Sequence, residues 1–122
     1  MAAPADGRPV DPAFQDRLQA LRDKYAASVP ERMAAIRDAL VLCQGNLIPQ
    51  HIEQLHHALH SVAGSAGSFG LAALGDEARR IEQMVRAVME AGAPWTGIEA
   101  AVHALLQWAD NQFGAGKIAA HD

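Results

Sequence analysis

Apolar residues recur along this chain at alternating steps of three and four, in five successive segments. That spacing returns a side chain to the same face of an α-helix at every turn and suits neither strand alternation nor an open loop. Phe14, Leu18, Leu21 and Tyr25 make the first stripe, and Val29, Met33, Ile36, Leu40 and Cys43 the second. Ile52, Leu55, Leu59, Val62, Ala66 and Phe69 form the third. Leu71, Leu74, Ala78, Ile81, Val85 and Val88 form the fourth, and Ile98, Val102, Leu105 and Ala109 the last. Breakers separate the segments. Asp11-Pro12 reads as an N-cap with proline in the first turn, Ser28-Val29-Pro30-Glu31 and Thr96-Gly97-Ile98-Glu99 as capping boxes, and Gln44-Gly45-Asn46 as a left-handed C-cap. Pro49 opens the third helix, and Ala91-Gly92-Ala93-Pro94 closes the fourth. Short connections make neighbouring helices antiparallel, and 3-4 spacing suits bundle packing.

The expected fold is therefore all-α: an antiparallel four-helix bundle with an additional N-terminal helix, which caps one end or runs on into the second segment. Scarce β-branched residues (threonine occurs once, at Thr96) point the same way. With 122 residues the chain suffices for one domain with one core. Residues 1–10, rich in Ala, Pro and Gly, read as a disordered leader, residues 11–113 as the bundle, and 114–122 as a frayed tail.

Several functional classes lose support at this level. The net charge of −4, without a Lys/Arg run, argues against nucleic acid as a partner. Cys43 is the single cysteine, so neither a disulfide framework nor a CxxC pair exists, and its place on an apolar stripe reads as a buried, inert thiol. The leader lacks the apolar core of a signal peptide, and no uncharged apolar run reaches membrane-spanning length, so a cytoplasmic protein off the membrane is expected.

The chemistry concentrates around His60, in Ala58-Leu59-His60-Ser61-Val62-Ala63-Gly64-Ser65-Ala66-Gly67-Ser68-Phe69-Gly70. Each glycine inside a helix costs about 1 kcal/mol relative to alanine, so two beside a histidine point to a need for bare backbone. With Ile52 at heptad position a, Leu59 also falls at a and His60 at b, about 100° around the helix from Leu59 and outside the core. Gly64 and Gly67 fall at f and b, facing away from the core, and Ala63 lies one turn from His60 on the same side. His56 and His57 lie one turn before it. His56 and His60, at i and i+4, suit a divalent ion, and a His-rich metal-binding bundle is one alternative, although no HExxH pattern occurs and no third ligand is evident. Neither a nucleophile-bearing turn nor a strand followed by a phosphate loop is present in the pattern.

The segment resembles the signature of the histidine-containing phosphotransfer (HPt) domains: an active histidine, x-Leu-Lys-Gly-Ser-Ala, a glycine ten residues after the histidine, and a later leucine. Here His60 takes the active position, Val62 stands for the leucine, Gly64-Ser65-Ala66 match directly, Phe69-Gly70 supply the hydrophobic-glycine pair, and Leu74 the later leucine. Ala78-Arg79-Arg80-Ile81-Glu82 resembles the family's small-x-x-aliphatic-Glu stretch, and Pro30-Glu31-Arg32-Met33 the start of its first long helix, so that the likeness covers about residues 12–112. The resemblance implies a phosphocarrier without independent turnover. His60 takes a phosphoryl group from a receiver-domain aspartate of a hybrid histidine kinase or response regulator and passes it to another receiver. The implied carrier is a monomer without a cofactor or metal of its own, the Mg²⁺ residing on the receiver. His56, His57, Ala63, Gly64 and Gly67 would then line the docking surface. One position departs from the pattern: the family's usual lysine three residues after the histidine is Ala63. Arg79 or Arg80 would have to neutralise the phosphoryl charge instead, or the domain docks receivers without efficient transfer.

Overall fold

The computed structural model describes residues 11–114, and the expected leader and all but the first residue of the expected tail lie outside them. The described residues hold four α-helices and no strand. Helix α1 spans Pro12–Gly45, α2 Pro49–Ser65, α3 Ala72–Ala91 and α4 Ile98–Phe113, with a 3-10 turn at Ala66–Phe69 between α2 and α3. Each helix packs on two others, α1 on α2 and α4, α3 on α2 and α4, so the four close around one core.

The first two sequence segments are one helix of 34 residues, with Pro30 inside it. The separate N-terminal helix is thus the first half of α1, and the run-on arrangement is the one found. Proline removes a helical N–H and usually breaks a helix interior. Here Ser28 does not cap a new helix; its hydroxyl donates back to the Tyr25 carbonyl at 2.6 Å and accepts from Arg32 Nε at 2.8 Å. The Arg32 guanidinium sits 4.3 Å above the Tyr25 ring, which also stacks on Phe69 at 4.8 Å. Ser65 donates to the Ser61 carbonyl at 2.7 Å, so its hydroxyl accepts from Tyr25 Oη at 2.7 Å. Tertiary contacts of Tyr25 before Pro30, and burial of Met33 and Ile36 after it, thus hold the chain helical through it.

The stripes of the second to fifth segments form the core. Val29, Met33, Ile36, Leu40 and Cys43 of α1 meet Ile52, Leu55, Leu59 and Val62 of α2, Leu74, Ala78, Ile81 and Val85 of α3, and Ile98, Val102, Leu105 and Ala109 of α4. The first stripe behaves differently. Of its residues only Tyr25 is buried, while Phe14 is 41% and Leu21 50% exposed. Trp95 and Trp108 pack at the core's margin, and Cys43 is buried with its thiol pKa raised, by burial first and by Glu99 second.

Two further caps differ from the sequence pattern. Asn46 is extended, with φ −158°, and its N–H closes on the Leu42 carbonyl, so α1 ends without a left-handed residue. At α4 the N-cap is Gly97, and Glu99 accepts from Trp95 Nε1 and Gln44 Nε2, both at 3.2 Å, in place of completing a capping box. Gly70, at φ +84°, is the left-handed residue that ends the 3-10 turn and turns the chain into α3.

Candidate functional site

Helices α2 and α3 run antiparallel at the site, as their contacts show: partners step down α2 as they step up α3. A Cβ placed on Gly75 would lie 3.4 Å from the Gly67 amide nitrogen and 3.8 Å from the Ala63 carbonyl oxygen, so the two helices are in close contact at this point. One turn on, Arg79 Nη2 donates to the Ala63 carbonyl at 2.8 Å. A further turn on, Glu82 meets the histidines.

His60 projects outward, its side chain 61% exposed, while Glu82 beside it is 4% exposed. Glu82 Oε2 lies 3.0 Å from His60 Nδ1, 2.7 Å from Arg86 Nη2 and 3.0 Å from His56 Nε2. The first two are hydrogen bonds, whereas His56 Nε2 is buried and has no aligned partner. Burial pushes the Glu82 pKa up, but the His60 hydrogen bond and the charges of His60, Arg86 and His56 outweigh it, so the carboxyl sits below its ordinary value. Glu82 is therefore ionised at neutral pH and can only accept. His60 Nδ1 must then donate, and a neutral ring carries its lone pair on Nε2. Nδ1 is tied to the protein, so the nucleophilic nitrogen is the one left for a partner.

The structure divides the remaining sequence-derived candidates. His56 stacks on His60, ring centroids 5.9 Å apart, and faces α3 half-buried. His57 is exposed on the opposite side, in a groove with Ser28, Arg32 and Ala35 of α1. Gly64 and Gly67 are exposed, and a Cβ on either would meet nothing within 4 Å. Ala63 corrects the expectation of a surface residue: it is 5% exposed and packs in the core. In the heptad frame Ala63 and His56 both fall at e, and the close approach of α3 at Gly75 covers that position. Arg80 points elsewhere, paired with Glu77 at 3.1 Å and touching Met84 Sδ at 3.8 Å. Among the described residues no group of three or more His, Cys, Asp or Glu side chains is arranged to hold a metal ion.

Sequence reasoning gave Glu82 and Arg86 no role, though Glu82 is the buried charged residue of the described chain. The available signal was its place in the small-x-x-aliphatic-Glu stretch, next to Ile81 on the core stripe and four residues before Arg86.

The site is thus an outward histidine tied through Nδ1 to a buried carboxylate on a helical bundle. The family model described as Hpt domain matches residues 20–111, and the chain belongs to that family, the phosphotransfer modules of two-component phosphorelays. Comparison with curated proteins and with solved structures gives no match. No helix among the described residues is long and apolar enough to cross a membrane.

Proposed function

We propose that this chain is a phosphorelay intermediate that carries a phosphoryl group on Nε2 of His60. The observation that carries this reading is the Nδ1–Glu82 hydrogen bond at 3.0 Å on an exposed ring. It leaves the Nε2 lone pair for in-line attack on the acyl phosphate of a receiver's phospho-aspartate. The aspartyl O–P bond breaks, the Nε2–P bond forms, and the carboxylate leaves with its electron pair on the receiver. With phosphorus on Nε2 and a proton on Nδ1 the ring is cationic, and the Glu82 carboxylate compensates that charge where it develops. Return of the group to a second receiver aspartate is the same step reversed. Phosphoryl transfer depends chiefly on positioning and charge neutralisation, and the receiver supplies the aspartate and the Mg²⁺, so the chain acts as a carrier without a cofactor of its own.

Gly64 and Gly67 support the same reading. Nothing among the described residues occupies the space a side chain would take there, so their bare surface serves a partner's close approach. His57 on one flank and His56 on the other border the docking face. The carrier works as a monomer in the cytoplasm, between a hybrid histidine kinase and a response regulator. The test is transfer from a phosphorylated receiver to the wild-type chain and to His60→Gln. Acid-labile, base-stable label on the wild type alone supports the proposal; label retained in His60→Gln overturns it.

A further inference from the structure

We infer that Arg79 of α3 supplies the positive charge that position 63 of α2 lacks, presenting it to the phosphoryl group on His60 from across the helix pair. The inference rests on the phosphocarrier reading above and assigns a specific residue within it.

Three observations single out Arg79. The first is its anchor. Arg79 Nη2 donates at 2.8 Å to the backbone carbonyl of Ala63, the residue from which the family's lysine would extend. That carbonyl lies in the last turn of α2, where orphan acceptors attract cations. It stands one helical turn from His60, about 4.5 Å along the axis. The second is pairing. Arg80 is engaged by Glu77 and Arg86 by Glu82, at 3.1 and 2.7 Å, whereas Arg79 has no carboxylate within 4.0 Å among the described residues. Its charge is therefore not cancelled locally. The third is direction. Arg32, another cation bonded near this stretch, is held over the Tyr25 ring in the groove between α1 and α2. Arg79 shares with Glu82 the α3 face that meets α2, where Glu82 already touches His60.

Helices α3 and α2 pack closely here, at Gly75 against Gly67 and Ala63, and the Arg79 side chain reaches the Ala63 carbonyl one turn further on. Glu82 and Arg79 then divide the work along one helix. Glu82 holds the ring and balances its positive charge, and Arg79 faces the phosphoryl oxygens. A guanidinium also presents a planar fork suited to two phosphoryl oxygens, which an ammonium does not.

The test uses the purified full chain with phosphoramidate as a small phosphodonor. Its P–N bond breaks, ammonia leaves, and the Nε2–P bond forms, so the rate reads the chain's own groups without a docking partner. Phosphohistidine is followed by ³¹P NMR, with His60→Gln as the blank and thermal melting as the check on folding. Arg79→Gln keeps a donor for the Ala63 carbonyl and removes the charge; it is expected to slow labelling about tenfold, with a melting temperature close to wild type. Arg79→Lys is expected to stay within about threefold of wild type and Arg80→Gln to be unchanged. The pair Ala63→Lys with Arg79→Gln is expected to recover most of the lost rate, because a lysine can extend its ammonium from a buried stem. Wild-type rates in Arg79→Gln, or failure of the double variant to recover while it remains folded, overturn the inference and leave the carrier reading intact. If Arg79→Gln does not fold, the double variant and Arg79→Lys decide by the same rates. Wild-type chain that takes no label from phosphoramidate or from a phosphorylated receiver overturns both.

Discussion

Gly64→Ala separates what the glycines do for the fold from what they do for a partner. Gly64 is in the last turn of α2, has an ordinary negative φ, and a Cβ there meets nothing within 4 Å. Alanine therefore introduces no clash and recovers part of the helix propensity that glycine gives up, about 0.5 kcal/mol near a helix end. For a domain of this size that raises the melting temperature by roughly 3 °C. The partner meets a different surface. A transferring phosphoryl group needs its reacting atoms about 3–3.5 Å apart, and displacement by about 1 Å can cost on the order of 10²-fold in rate. Gly64→Ala is thus expected to be as stable as wild type or slightly more so, to take label from phosphoramidate at the wild-type rate, and to accept from a phosphorylated receiver about tenfold more slowly. Gly64→Gln should deepen the receiver defect. The measurements are a thermal melt and single-turnover transfer with both donors. Wild-type receiver transfer in both variants, or a loss of stability in Gly64→Ala, would refute the claim that the bare backbone serves docking.

Other consequences follow from the buried carboxylate and its neighbours. Glu82→Gln leaves Arg86 and the histidines without their counter-charge, and is expected to lower stability by about 1–3 kcal/mol at pH 7 and to slow transfer to His60, as denaturant titration and receiver labelling would show. Because the folded pKa of Glu82 is depressed, its contribution is fully present above the ordinary carboxylate value of 4.5 and is lost as pH falls through the lower folded value. The stability gap between wild type and Glu82→Gln should accordingly narrow as the pH falls below 4.5; a gap that persists or keeps growing there would contradict the assignment. Tyr25→Phe removes the hydroxyl that donates to Ser65, and is expected to destabilise by about 1 kcal/mol with transfer from phosphoramidate unchanged.

Much of this architecture is written in local periodicity. The stripes from Val29 to Cys43, Ile52 to Ala66, Leu74 to Val85 and Ile98 to Ala109 lie in the core because each helix must bury one face, and the 3-4 rhythm names that face directly. The same rhythm placed His60 outside, where its side chain is found. Legibility ended where the outcome depends on contacts between segments. Ser28-Val29-Pro30-Glu31 has the local form of a helix start, yet Ser28 bonds backward and Tyr25 is secured by Ser65 and Phe69, far along the chain, so α1 continues. Phe14 and Leu21 have helical spacing, but they lie on a half of α1 where the structure leaves them exposed. Ala63 looked exposed from the single-helix register, and the approach of α3 at Gly75 buries it. Glu82 went unassigned because two of its partners, His60 and His56, belong to another helix, 22 and 26 positions earlier in sequence, and its place beside Ile81 does not by itself show which helix will cover it.

The most direct test of the central claim is the chemistry of the label on His60. The wild-type chain, mixed with a phosphorylated receiver and Mg²⁺, should take a phosphoryl group that survives base and is lost in acid, with ³¹P–¹H correlation placing phosphorus on Nε2. His60→Gln should take none. Phosphorus on Nδ1, or label of the same kind in His60→Gln, would contradict a carrier whose Nδ1 is held by Glu82.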